Sequence, residues 1–427
     1  MHKNAQTRNL SVDAKTKFCL HSGLNTIGGN IAEIRYKGDR VLFDFGRAYN
    51  PADTLLTNAQ GREGTKVNDM LRLGMIPAVD GLYDNSWPGV TAVFISHLHL
   101  DHMGAIDVIH PDVPVYMSRP GLELYNELQA LGEGPFRQNV LAFDYEVPVH
   151  IGEISVTGYE IDHDVLGASA ILVETPDMKI AHSGDIRMRG QRPELNHKWI
   201  NTMHNLNLDY LLMEGTSFWP VRDADSSVDN KFVQHKEGDV PSVIAEMLQR
   251  SGVCFFNFYH RNIERMANLL AAANMAGRKL VFEPDTARLA AKFLPPTPGV
   301  QYYVLGESVT VEDINSSPQS YFVQNTLQNI FSLIDYNAAD SGYIHTNGVP
   351  LGPFDPAFGS MVSFLQQLGI EFYSVPSAGH CDKDEILGII DGIKPKVLVP
   401  WHSTSPDTMV PLDENQQMLM PEKGRWY

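Results

Sequence analysis

One hexapeptide constrains this chain more than any other feature. His97, Leu98, His99, Leu100, Asp101 and His102 follow directly on the apolar segment TAVFIS at residues 91–96. Six such residues read as a buried strand. Imidazole nitrogen and carboxylate oxygen are good ligands for Zn²⁺. A fold must therefore exist in which a core strand delivers three imidazoles and a carboxylate to one point. In a tight turn, His97 and His99 can face one metal while Asp101 and His102 face a second. One short run cannot close two sites, so further ligands must come from elsewhere. Three candidates stand at the ends of other apolar strands: His163 after SVTGYEID, Asp185 in KIAHSGD and His402 after KVLVPW. With the first run they make seven ligands, the number two adjacent metals need.

The organisation around these residues is layered. IAEIRY and RVLFDFG flank the turn Lys37-Gly38-Asp39 and predict a hairpin. Residues 48–88 form a long irregular stretch, a candidate substrate-facing lid, with one helical patch at VNDMLRLG. The segments VPVYMS, ISVTGYEI, ASAILVET, KIAHSGD and DYLLMEG then alternate with turns and shorter helical stretches. This is the pattern of an α/β domain. From about 220 to 375 the texture changes. The helix VPSVIAEMLQR, strand CFFNFY, helix RNIERMANLLAAANMAG and strand KLVFE make tandem βαβ units, which imply a second, parallel sheet. With 427 residues the chain exceeds one typical domain.

At this point the motifs resemble a known family. HLHLDH is the H-x-H-x-D-H signature of the metallo-β-lactamase superfamily. GLNTIGGNIAEIRYKGDRVLFDFG resembles the opening of ribonuclease J-type proteins, with Asp44 as the aspartate of their first motif. AHSGDI resembles the motif of the bridging aspartate. DYLLMEGTSF, SAGHCDKDEI and KPKVLVPWH resemble motifs A, B and C of the β-CASP subgroup, and FYHRNIERMANLLAAANMAGRKL resembles its insert. The resemblance implies an αββα sandwich formed by residues 1–215 and 376–427, interrupted by a β-CASP-like α/β domain at 216–375.

It also implies roles. His97, His99 and His163 would bind one metal, Asp101, His102 and His402 the other, and Asp185 would bridge them. Asp44 would act from behind the ligands, where a carboxylate fixes imidazole orientation. The expected cofactors are two divalent metal ions, Zn²⁺ or Mn²⁺. A water bridging two cations becomes hydroxide near neutrality and attacks an electrophilic phosphorus or carbonyl carbon. Asp101, His380 and Glu214 are the catalytic candidates. His380 would donate a proton or hydrogen bond, and Glu214 would orient it. Cys381 beside them reads as a buried thiol, and Asp382 as the cap of the helix that follows.

A phosphodiester substrate needs cations outside the metal site. Arg261 and Asn262 lie at a strand-to-helix junction, a natural phosphate site, and are the substrate-binding candidates. His260, Arg278, Lys279 and Arg288 lie in the same insert, Arg265 reads as part of a solvated helix face, and Arg187 and Arg189 follow Asp185. The expected partner is RNA or another phosphodiester. The alternative is a small-molecule phosphodiesterase, lactonase or thioesterase on the same core. The sequence departs from ribonuclease J in several places, of which the first bears on that choice. No Gly-Ser-rich loop follows the insert helices, motif B reads Ala-Gly-His, and Ser403-Thr404 follows motif C. The chain also ends at Tyr427 without that group's C-terminal domain, which leaves homo-oligomer formation open.

A net charge of −18 argues against a general nucleic-acid coat protein, because phosphates are held mainly by Lys and Arg. It leaves room for a nuclease with a local basic cleft. Cys19, Cys254 and Cys381 are far apart and form no C-x-x-C pair, which suggests a reducing compartment. The polar N-terminus is no signal peptide, and no apolar run approaches the ~18 residues of a membrane span. A cytoplasmic protein without membrane contact is expected.

Overall fold

The computed structural model describes residues 15–48, 62, 64–219, 234–295 and 301–427. Three sheets organise them. The first runs in the order Lys17–Ser22, Ile31–Tyr36, Asp39–Phe43, Thr91–Phe94, Val115–Ser118, Val140–Phe143. Its first three strands pair antiparallel and the rest parallel. The predicted hairpin forms, with Tyr36 opposite Asp39 and Lys37 in the left-handed region at φ 54°.

The second sheet runs Gln417–Met418, Val397–Trp401, Tyr210–Glu214, Lys179–His182, Ser169–Glu174, Ile154–Glu160, Val149–Ile151. Val397–Trp401 pairs in parallel with Tyr210–Glu214, so the final segment of the chain returns to the sheet it left before the insert.

Side chains alternate across a strand, and this places the two sheets face to face. Val41 and Phe43 share one core with Phe18, Ile34 and Phe94 of their own sheet and with Ile171, Ile180, Leu212, Val399 and Trp401 of the other. Leu42, between them, points the opposite way. It joins a core that holds Val93, Val115 and the helix residues Leu124 and Leu128. On the far side of the second sheet, helix Lys383–Ile393 packs against helix Pro193–Leu206 and buries Ile386, Ile389, Ile390 and Ile393. Burying each such side chain stabilises the fold by roughly 1.5–3 kcal/mol. The layers are therefore helix, sheet, sheet, helix, as the sequence predicts.

The third sheet, in the order Tyr302–Val304, Lys279–Phe282, Tyr321–Gln324, Cys254–Asn257, Gly342–His345, Glu371–Ser374, is parallel throughout. Phe256 and Phe282 face Met266 and Leu269 of helix Ile263–Met275, in a core continuous with that of the first sheet. Phe255, Val281 and Val323 point to the other face, against Met361 and Leu365 of helix Pro356–Gln367.

Of the long irregular stretch, residues 49–61 and 63 lie outside the described residues. Its later part holds the predicted helix as Lys66–Arg72 and sends Met70, Ile76, Val79 and Leu82 into the core. Among the described residues no helix is long and apolar enough to cross a membrane.

Candidate metal centre

Each candidate ligand stands just beyond a strand. Thr91–Phe94 leads to His97 and His99, and the single helical turn Leu100–Met103 carries Asp101 and His102. Ile154–Glu160 leads to His163, Lys179–His182 to Asp185, Tyr210–Glu214 ends on Glu214, and Val397–Trp401 precedes His402. The backbone of Asp101 and His102 is clamped from the first sheet. Gly29 donates to the Asp101 carbonyl at 3.0 Å and Phe45 to that of His102 at 2.7 Å. A Cβ on Gly46 would stand 1.6 Å from the Asp101 carbonyl oxygen, so only glycine fits there.

The donor atoms converge in three groups: His97, His99, His163 and Asp185; Asp101, His102, Asp185 and His402; Asp185, Glu214 and His380. Asp185 is common to all three. Two donors bound to one cation at about 2.1 Å stand about 3.0–3.4 Å apart at tetrahedral to octahedral angles. The spacings found are close to this. Asp185 Oδ2 lies 3.1 Å from His102 Nε2, 3.6 Å from His97 Nε2 and 3.7 Å from His402 Nε2. His99 Nδ1 lies 3.2 Å from His163 Nε2, and Asp101 Oδ2 3.5 Å from His102 Nε2.

The outer nitrogens of the imidazoles are tied back. His102 Nδ1 donates to Asp44 Oδ2 at 2.8 Å, and His163 Nδ1 to the Gly379 carbonyl at 2.6 Å. His97 Nδ1 lies 3.0 Å from Ser96 Oγ, which itself donates to Asp44 at 3.0 Å. His402 Nδ1 accepts from the Gly28 backbone N–H at 3.2 Å and lies 2.7 Å from the Asn30 side-chain nitrogen. The inner atoms are left over. His97 Nε2, His102 Nε2, His402 Nε2 and Asp185 Oδ1 are buried without a hydrogen-bond partner among the described residues. Buried polar atoms are costly to leave unpaired, and such a cluster asks for a cation.

The charges agree. Burial alone would depress the His102 pKa, yet the carboxylates of Asp185, Asp101 and Asp44 raise it well above its usual value. Positive charge is wanted at that point, and a metal satisfies the same field. Burial likewise holds His97 and His163 unprotonated, His163 at about 4. For Asp44, burial opposes ionisation, but His102 and His182 hold its carboxyl at about 2. Asp44 and His402 carry left-handed backbones, φ 53° and 49°, a strain typical of functional sites.

His380 Nδ1 lies 3.1 Å from the buried Glu214 Oε1, and its Nε2 lies 3.9 Å from Asp185 Oδ2. Burial would lower its pKa; Glu214 and Asp185 outweigh that and raise it to about 10. Asp382 caps the helix after it in a reciprocal capping box with Glu385, and Cys381 is buried with its thiol pushed up in pKa.

A family profile for the metallo-beta-lactamase superfamily matches residues 26–244. The chain belongs to the metallo-beta-lactamase superfamily. Within that superfamily it is similar to ribonuclease J of Pyrococcus abyssi, 22% identical over 413 residues that cover 89% of this chain and 88% of the relative. Ribonuclease J of Thermus thermophilus is 22% identical over 89% of this chain and 67% of its own length. A crystal structure of a protein of unknown function from Enterococcus faecalis V583 superposes with a TM-score of 0.82 at 27% identity, over 97% of this chain and 100% of that one. Superfamily membership and the likeness to ribonuclease J make this a metal-dependent hydrolase, and the His/Asp clusters suit divalent metal ions as its cofactor.

The insert meets this superfamily core differently from the sequence expectation. Arg261 is buried, donating to the Leu98 carbonyl at 2.7 Å and facing Glu133, and Asn262 caps helix Ile263–Met275 by accepting from Arg265 N. Both are engaged inside the protein, and Arg261 braces the histidine run through the Leu98 carbonyl. Arg265 is not on a solvated face: it is 1% exposed and grips Glu237 at 2.8 and 2.7 Å, because helix Ile263–Met275 turns that face towards residues 237–240. Arg187 is buried against Asp162, Glu237 and Glu264, Arg189 pairs with Asp382 and Glu385, and Arg278 donates to the carbonyls of Leu248, Gly252 and Tyr321. His260 pairs with Glu133, and Arg288 with Glu127 at a half-exposed site. Lys279 lies over Tyr303 and Tyr321.

Tyr259 of the insert lies beside the candidate ligands, its ring centroid 5.5 Å from that of His99 and its hydroxyl pushed up to about 12 by burial. Tyr259, Ser96, Asn30 and Asp164 carry no motif signal. Only adjacency to His97 and His163 could have drawn attention to Ser96 and Asp164.

Proposed function

We propose that this chain is a phosphodiesterase acting on RNA, with two divalent metal ions, zinc by first choice because imidazole nitrogen dominates the donor set. Residues 1–215 and 376–427 would form the catalytic unit and 216–375 the inserted one. His97, His99 and His163 would hold one ion, Asp101, His102 and His402 the other, with Asp185 shared. When bound, the pair supplies Lewis-acid polarisation and a nucleophilic water near neutral pH.

The observation that carries the reading is the His380–Glu214 pair beside Asp185. Glu214 accepts the Nδ1 proton of His380 and fixes the ring, leaving Nε2–H to be donated to the leaving oxygen. Asp44 holds His102 in the tautomer that frees its Nε2. Tyr259 bounds the site from the insert and helps exclude water there. Likeness to ribonuclease J along nearly the whole chain, insert included, favours RNA over a small ester. The three buried free thiols fit a reducing, cytoplasmic setting.

A small-molecule phosphodiesterase, lactonase or thioesterase is the second reading, and one observation favours it. Arg187, Arg261, Arg265 and Arg278 are all engaged within the protein, which leaves few free cations for a polyanion in a chain of net charge −18. The deciding experiment offers metal-reconstituted protein 5′-monophosphorylated single-stranded RNA, bis-p-nitrophenyl phosphate, lactones and thioesters in parallel. Cleavage of RNA above the others supports the first reading. Turnover of a lactone or thioester with intact RNA, at two equivalents of bound metal, sinks it.

A further inference from the structure

We propose that Asp164 is an additional carboxylate ligand of the metal held by His97, His99 and His163. The inference rests on the metal-pair reading above and concerns a residue outside its ligand set. Asp164 Oδ1 lies 3.3 Å from His163 Nε2 and 3.4 Å from His99 Nε2. The first distance matches the separation of two donors that share one cation at about 2.1 Å, about 3.0–3.4 Å. The second runs to the other nitrogen of His99, whose Nδ1 is the atom beside His163 Nε2. The first also resembles the spacing of Asp185 from its histidines, 3.1 to 3.7 Å.

The same oxygen is buried and has no hydrogen-bond partner among the described residues, like the inner atoms of His97, His102, His402 and Asp185. A carboxylate that served only to orient His99 would accept its Nε2–H at about 2.7–2.9 Å. At 3.4 Å no such bond is made. Space is kept for the group by Gly379, where a Cβ would stand 3.0 Å from Asp164 Oδ2. Gly379 also receives His163 Nδ1–H on its carbonyl, so one loop holds the imidazole from behind and leaves room for its neighbour's carboxylate.

The consequence is chemical. Three imidazoles with Asp185 already equal the four donors of a closed zinc tetrahedron; Asp164 makes a fifth. A second carboxylate oxygen shifts the site towards harder ions of higher coordination number, such as Mn²⁺, relative to the same site without it. It also lowers the net charge of the assembled centre by one, because Asp101, Asp164 and Asp185 then face two dications.

The test uses the full chain as wild type, D164N and D164A, with thermal unfolding to show that each variant is folded. Each is dialysed to equilibrium against mixed Mn²⁺ and Zn²⁺ and its metal content measured, and the wild type is crystallised with metal. We expect an Asp164 oxygen within about 2.3 Å of the ion bound by His97, His99 and His163. We expect both variants to lower the Mn:Zn ratio by about tenfold or more. Asparagine keeps a hydrogen-bond acceptor for His99 but not the charge. A D164N ratio equal to wild type, or Asp164 oxygens more than about 3 Å from either ion, overturns the inference while two bound equivalents leave the metal pair standing. Less than one bound equivalent in the wild type overturns both.

Discussion

Two buried polar regions lie close together in this molecule and are built on opposite rules. At the strand ends, His97, His102, His402 and Asp185 present inner atoms that nothing in the described protein satisfies. At the junction with the insert, Glu237 is equally buried, yet it receives Arg187, Arg265 and Asn268. Arg265 in turn reaches Thr346. Both regions are dense in charge, and the groups compared are buried in each. What separates them is completion: the junction is neutralised from within, and the strand ends are neutralised only by something added. Unpaired donors, rather than buried charge as such, therefore mark where the chemistry sits.

The comparison breaks most visibly at Asp185. D185N removes the donor common to all three clusters, and should abolish binding of the metal pair and lower turnover on the order of 10³-fold or more, checked by metal content and initial rates. H380A should leave metal content near that of wild type and reduce kcat by about 10²–10⁴-fold, the range for loss of a general acid. A general acid works only while protonated, so activity falls as pH rises through its pKa. Because Glu214 is among the groups that raise the His380 pKa, E214Q should move that alkaline limb to lower pH, read from a kcat–pH profile. An unmoved limb would assign the limb to another group.

At the completed region the loss should be of stability instead. Arg265→Met leaves Glu237 buried without the guanidinium that binds both its carboxylate oxygens and should cost about 3–5 kcal/mol by denaturant titration, with bound metal unchanged. His345 offers a pH test inside the insert. It is buried in the third sheet with Nε2 donating to the Pro350 carbonyl at 2.8 Å, and burial lowers its pKa from 6.5 to about 4. The unfolded chain therefore takes up the proton first. Stability held above pH 6.5 is lost as pH falls towards 4, on the order of 3 kcal/mol, and His345→Gln should flatten that window. The smallest expected effect is at the exposed capping box of Thr310 and Asp313, where Thr310→Ala should cost about 1 kcal/mol and leave the metal centre untouched.

Much of this was legible before the fold was known. Apolar runs ending in His or Asp placed the candidate ligands at strand ends, because a strand whose residues are buried must surface where it stops. Helical and strand periodicities in 240–283 announced the parallel sheet. Arg265 was not legible. Its helix shows polar residues on a face that looks solvated, and only the approach of residues 237–240 turns that face inward. Arg261 was not legible for a related reason: its guanidinium is free for a phosphate only if no other segment engages it, and here Leu98 and Glu133 do.

The sequence by itself determined which groups are available and where each strand releases them, since donor chemistry and hydrophobic period are local properties. Tertiary structure alone decided which of those groups remain unsatisfied. Asp164 and Asp162 stand on either side of His163 and are the same residue type. Asp162 is consumed by Arg187, while Asp164 is left facing two imidazoles. Pairing of a buried charge depends on what other segments bring to it, often from more than 20 residues away along the chain, and no local pattern records that.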